Sequence, residues 1–96
     1  MLEISDIRSA VVPIARQYGV KRLYLFGSYA KGSATENSDV DLLLEKGESL
    51  SLLRLSGMRQ NLQDALNLPV DIVTTAGIEQ SFKNEISGTE ILLYEE

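Results

Sequence analysis

The segment Leu23-Tyr24-Leu25-Phe26-Gly27-Ser28-Tyr29-Ala30-Lys31-Gly32-Ser33-Ala34-Thr35-Glu36-Asn37-Ser38-Asp39-Val40-Asp41-Leu42-Leu43-Leu44 holds two apolar runs on either side of a polar loop. The first run, Leu23 to Phe26, is β-prone and stops at Gly27-Ser28, where a glycine permits a sharp turn and a serine suits the start of a short helix. Residues Gly32 to Ser38 have loop composition. The second run alternates acid and apolar residues from Asp39 and then becomes wholly apolar, the pattern of a buried strand whose first turn carries polar groups. The expected order is strand, turn, short helix, loop, strand.

On the N-terminal side, Ile4, Ile7, Val11, Ile14 and Tyr18 recur at steps of three and four and mark one stripe of an amphipathic helix that Gly19 ends. Pro13 inside it removes one backbone hydrogen bond, so a kink is expected. On the C-terminal side, Leu50, Leu53, Met58, Leu62 and Leu66 suggest a helix closed by Leu68-Pro69, with Gly57 tolerated inside it at about 1 kcal/mol relative to Ala. Val70 to Thr74 reads as a third strand, Ile78, Phe82 and Ile86 as a last short helix closed by Gly88, and Ile91 to Tyr94 as a terminal extended segment. This αβαβαβ order predicts an α/β layer fold, a single domain over residues 1–96.

Composition narrows the chemistry. The 96 residues carry 9 Lys+Arg against 14 Asp+Glu, a formal charge of −5, which argues against a basic groove tracking nucleic acid. With no Cys and no His there is no disulfide framework, no zinc ligand set and no Ser-His or Cys-His pair. The longest apolar run, Leu42 to Leu44, is far too short to span a membrane, and a cytoplasmic protein is expected.

What remains is oxygen chemistry. Asp39 and Asp41 are two apart on the expected strand, so their side chains leave one face with Cα atoms roughly 6.5 Å apart. Two ionised carboxylates in one partly buried space need a cation or a shared proton, and an oxygen-only ligand set favours Mg²⁺ or Mn²⁺. Asp71, flanked by Val70 and Ile72, joins them if its strand lies beside theirs. Gly27-Ser28 offers close backbone approach and a hydroxyl for an anion. Each piece also has a plain reading: an Asp opening a strand as a turn residue, or Ser28 as an ordinary N-cap. Together, phosphate cradle and metal-binding acids describe a site for a metal-bound nucleoside triphosphate.

The run from Gly27 to Asp41, which reads Gly-Ser, ten residues, Asp-x-Asp, resembles the signature of the minimal nucleotidyltransferases of the polymerase β-like superfamily. The likeness extends from Leu23 to Thr74 and includes the Leu66-Asn67-Leu68-Pro69-Val70-Asp71-Ile72-Val73-Thr74 segment. It implies the polymerase β-like fold, with a small mixed sheet flanked by helices. By the same resemblance, Gly27 and Ser28 would hold the triphosphate, Asp39 and Asp41 would ligate two Mg²⁺ ions, and Asp71 would be the third, catalytic carboxylate. Tyr29 and Lys31 fill variable steps where many members carry Arg, and Lys31 is a candidate phosphate contact.

The resemblance further implies a partner. Small members of the family are typically antitoxins paired with HEPN-domain toxins, and some resemble protein adenylyltransferases that place AMP from ATP on a toxin tyrosine. Two alternatives stay open: an antitoxin that neutralises by binding alone, and a nucleotidyltransferase acting on RNA or a small molecule with a separate acceptor-binding subunit.

Overall fold

A computed structural model describes residues 2–46, 50–74 and 89–96. Along the chain lie α1 (Ile4–Tyr18), β1 (Arg22–Phe26), α2 (Gly27–Lys31), β2 (Val40–Glu45), α3 (Leu52–Leu66), β3 (Val70–Thr74) and β4 (Ile91–Glu95). The expected last helix at Ile78, Phe82 and Ile86 falls outside the described residues.

The α1 stripe is buried as its spacing requires, with Ile7, Val11 and Ala15 inside and Ile4, Ile14 and Tyr18 packed at the margin. A capping box opens the helix, the Asp6 carboxylate accepting from the Glu3 amide at 2.9 Å, and left-handed Gly19 (φ 68°) closes it. The helix runs through Pro13 without a break. Ser9 and Pro13 both face solvent, so the carbonyl that loses its donor lies where water reaches it.

α3 corrects the expected stripe. Ser51 caps the helix, its hydroxyl accepting from the Arg54 amide at 3.2 Å, so Leu50 lies outside it. Met58, Leu62 and Leu66 are buried and Leu55 is half-buried, whereas Leu53 is 84% exposed and Leu52 78%. The step from Leu53 to Met58 is five residues, which a 3.6-residue repeat carries to another side of the helix. The buried line runs through Leu55 instead. Leu62→Ala is therefore expected to cost about 3 kcal/mol in urea unfolding, while Leu53→Ser stays within about 0.5 kcal/mol.

Gly57 also gains a reason. A Cβ there would meet the Tyr18 hydroxyl at 3.3 Å, and that hydroxyl accepts from Asn61 Nδ2 at 2.6 Å while the Arg54 guanidinium stands 5.2 Å above the Tyr18 ring. The glycine lets α1 and α3 approach.

The four strands form one mixed sheet in the order β3-β2-β1-β4. β1 is antiparallel to both β2 and β4, and β2 is parallel to β3, with α3 as the crossover between them. Leu23, Leu25, Val40, Leu42, Leu44, Val70 and Leu93 form one core with the buried faces of α1 and α3. On the opposite face Phe26 and Leu43 make a smaller cluster with Tyr24 and Val73. Arg22 ties three strands together at the far end of β1, donating to Glu45 at 2.8 Å and Glu95 at 3.1 Å.

Candidate active site

Strand register brings the acids together. Asp41 lies opposite Phe26 of β1 on one side and opposite Asp71 of β3 on the other. Because Val40, Leu42 and Val70 point into the main core, Asp41 and Asp71 leave the other face side by side. They line one cleft of about 560 Å³ with Phe26, Arg59, Ile72 and Val73.

Gly27 follows Phe26 directly and takes φ 74°, a conformation glycine adopts without strain. A Cβ on it would collide with the Asp41 carboxylate, falling 3.1 Å from its Cγ and 3.3 Å from its Cβ. The bend after β1 and the carboxylate on β2 are thus in contact only because residue 27 has no side chain.

Ser28 is not the N-cap of the plain reading. Phe26 occupies the cap position, and Ser28 lies inside the first turn of α2, its carbonyl accepting from the Gly32 and Ser33 amides. Lys31 is exposed in the last turn. Asp39 is exposed one step ahead of β2 rather than within it.

Burial above all, then the neighbouring Asp71 and Asp39 carboxylates, push the Asp41 carboxyl up from its ordinary value. Ionised Asp41 therefore costs native stability at neutral pH, and the cost disappears as pH falls below the unfolded carboxylate's value. Among the described residues no three acids form a ready-made cage for one ion. The donor set nevertheless fits Mg²⁺, which uses one or two carboxylates, keeps several waters and takes its remaining oxygens from a substrate's phosphates. The Asp71 and Asp39 carboxylates beside Asp41 create a negative field that a cation would relieve.

Arg59 was not singled out by sequence reasoning. It reaches the cleft from α3 with its Nε donating to the Val70 carbonyl at 2.8 Å, a contact over 11 positions that no local motif announces.

The nucleotidyltransferase domain model matches residues 8–92, from within α1 to within β4. The chain belongs to the nucleotidyltransferase domain family. A Methanocaldococcus jannaschii protein bearing the name of a protein adenylyltransferase is 39% identical over 85 residues, 88% of this chain and 91% of its own. The protein adenylyltransferase MntA of Thermococcus cleftensis is 34% identical over 93 residues, 93% of this chain and 90% of its own. Among solved structures, a minimal nucleotidyltransferase superposes with TM-score 0.81 at 30% identity, covering 94% of this chain and 95% of that one. A toxin–antitoxin complex with AMP-PNP gives TM-score 0.79 at 23% identity, over 93% and 73% of the two chains. A complex of the tri-AMPylated Shewanella oneidensis HEPN toxin with its MNT antitoxin gives 0.71 at 20%, over 94% and 71%. The nucleotidyltransferase fold that the resemblance implied is the fold observed, and the chain is a nucleotidyl-transferring enzyme by family.

Among the described residues no helix is long and apolar enough to cross a membrane.

Proposed function

We propose that this chain transfers AMP from ATP to a hydroxyl, that of a tyrosine, on a partner HEPN toxin and so acts as its antitoxin, with Asp39, Asp41 and Asp71 holding two Mg²⁺ ions. The observation that carries the reading is the register of Asp41 against Asp71, with Gly27 packed on the Asp41 carboxylate. Relatives named protein adenylyltransferases support the choice of AMP and of a protein acceptor. The AMP-PNP and HEPN-toxin complexes of fold neighbours support ATP and the partner.

The chain's own residues divide the work. Gly27 admits the triphosphate against the backbone, the Ser28 hydroxyl donates to a phosphate oxygen, and Lys31 reaches a phosphate from the surface. Asp71 accepts the proton of the acceptor hydroxyl as a general base. That oxygen attacks the α-phosphorus, the bond to the bridging oxygen breaks, and pyrophosphate leaves. Mg²⁺ held by Asp39, Asp41 and Asp71 would supply charge neutralisation for the triphosphate and its leaving group and would lower the pKa of the acceptor hydroxyl.

Incubation of the chain with α-labelled ATP, Mg²⁺ and a HEPN toxin should label the toxin. Asp39→Ala should reduce that label at least about a thousandfold, the scale of losing a metal ligand at the reacting phosphate. Complex formation without label would support neutralisation by binding, and label on RNA or a small amine would move the acceptor to another class.

A further inference from the structure

Across the sheet the proposed site runs in one direction. Gly27 and Ser28 follow β1, Asp41 is on β2, Asp71 is on β3, and Arg59 comes from α3 to the Val70 carbonyl of β3. Val70 is held twice: its carbonyl accepts from Arg59 Nε at 2.8 Å and its amide donates to Gln63 Oε1 at 3.1 Å. Arg59 and Gln63 are four apart, so one face of α3 straps this strand. The Arg59 Nε is committed to the Val70 carbonyl, and Arg59 lines the cleft together with Phe26, Asp41, Asp71, Ile72 and Val73.

Among the described residues no carboxylate forms an ion pair with Arg59; both ion pairs there belong to Arg22. Arg59 thus brings a positive charge into an acidic cleft without neutralising its acids.

We infer that Arg59 grips the acceptor rather than the triphosphate. The inference rests on the function proposed above. With the triphosphate seated on Gly27 and Ser28 and its α-phosphorus at Asp41, as the proposed function requires, in-line displacement brings the nucleophile from the opposite side. That side is the one bearing Asp71 and Arg59. Phe26 and Val73 supply apolar wall on the face that carries Asp41 and Asp71, and a planar guanidinium lies well against a ring face while its N–H groups reach carbonyls beside it. Arg59 is therefore a specificity residue for a hydroxyl carried on an aromatic ring of a protein segment, held in orientation by the Val70 carbonyl.

The test separates nucleotide from acceptor. Wild type, Arg59→Ala, Arg59→Lys and Gln63→Leu are compared for affinity toward AMP-PNP with Mg²⁺, and for steady-state AMP transfer to the HEPN toxin as its concentration is varied. Arg59→Ala should lower kcat/KM for the toxin about ten- to hundredfold, mainly through KM, and leave AMP-PNP affinity within about twofold. Arg59→Lys, which keeps the charge and a donor for Val70 but not the planar fork, should fall between, and it decides the matter should Arg59→Ala fail to fold. Gln63→Leu, which cuts the neighbouring strap alone, should transfer like wild type. The inference is overturned by an Arg59 variant that loses AMP-PNP affinity as much as transfer, by one that transfers normally, or by Gln63→Leu reproducing the loss. Absence of transfer by wild type that still binds AMP-PNP would sink the proposed function itself, and this inference with it.

Discussion

Asp41→Asn is expected to abolish nucleotidyl transfer and, in the same molecule, to raise the melting temperature of the metal-free protein. Catalytic loss should reach at least about a thousandfold, because the group proposed to face both metal ions would no longer carry charge. The gain in stability follows from the packing around it. Asp41 is half-buried, beside Asp71 and Asp39, and its carboxyl is already pushed toward protonation by burial and by those neighbours. Removing the charge while keeping the shape relieves that cost, by about 0.5 kcal/mol once screening at a partly exposed site is allowed for. Thermal scans in EDTA test the sign. Adding Mg²⁺ and AMP-PNP should then raise the melting point of wild type by mass action and leave that of Asp41→Asn nearly unmoved. A variant less stable than wild type without metal would show that the acids are not crowded.

Gly27→Ala is expected to damage both stability and transfer, and Gly32→Ala separates the two causes. Both glycines have left-handed backbones, φ 74° and 75°, so an alanine at either costs about 1–2 kcal/mol in strain. At Gly32 an added Cβ meets nothing within 4 Å, whereas at Gly27 it collides with the Asp41 carboxylate. Gly32→Ala should therefore lose stability and keep its transfer rate. Gly27→Ala should lose stability and also about a hundredfold in rate, the scale on which displacing a reacting group by about 1 Å acts. Equal activities in the two variants would mean that the contact between bend and carboxylate is unimportant.

Much of this architecture was legible locally. The α1 stripe, the Leu23 to Phe26 and Asp39 to Leu44 runs, and Val70 to Thr74 each carry a periodicity or composition that fixes their element before any long-range contact is known. The proximity of Asp41 and Asp71 was only conditional in sequence, because strand order is set by tertiary packing; parallel pairing of β2 with β3 supplies it. Leu53 was misplaced because apolar residues crowd the start of α3 and the spacing, not the composition, decides which are buried. The plain reading of Ser28 as an N-cap does not hold, because Gly27 itself enters the helix and the cap moves to Phe26. Arg59 carried no signal at all: an exposed arginine beside the buried Met58 reads as ordinary helix surface, and its partner is a backbone carbonyl on another element.

The intact mass of a HEPN toxin, measured after incubation with this chain, ATP and Mg²⁺, tests the central claim most directly. The mass should increase by whole AMP groups in step with loss of toxin activity, with neither change in EDTA or with Asp41→Asn. A toxin silenced at unaltered mass, equally by wild type and by Asp41→Asn, would contradict it.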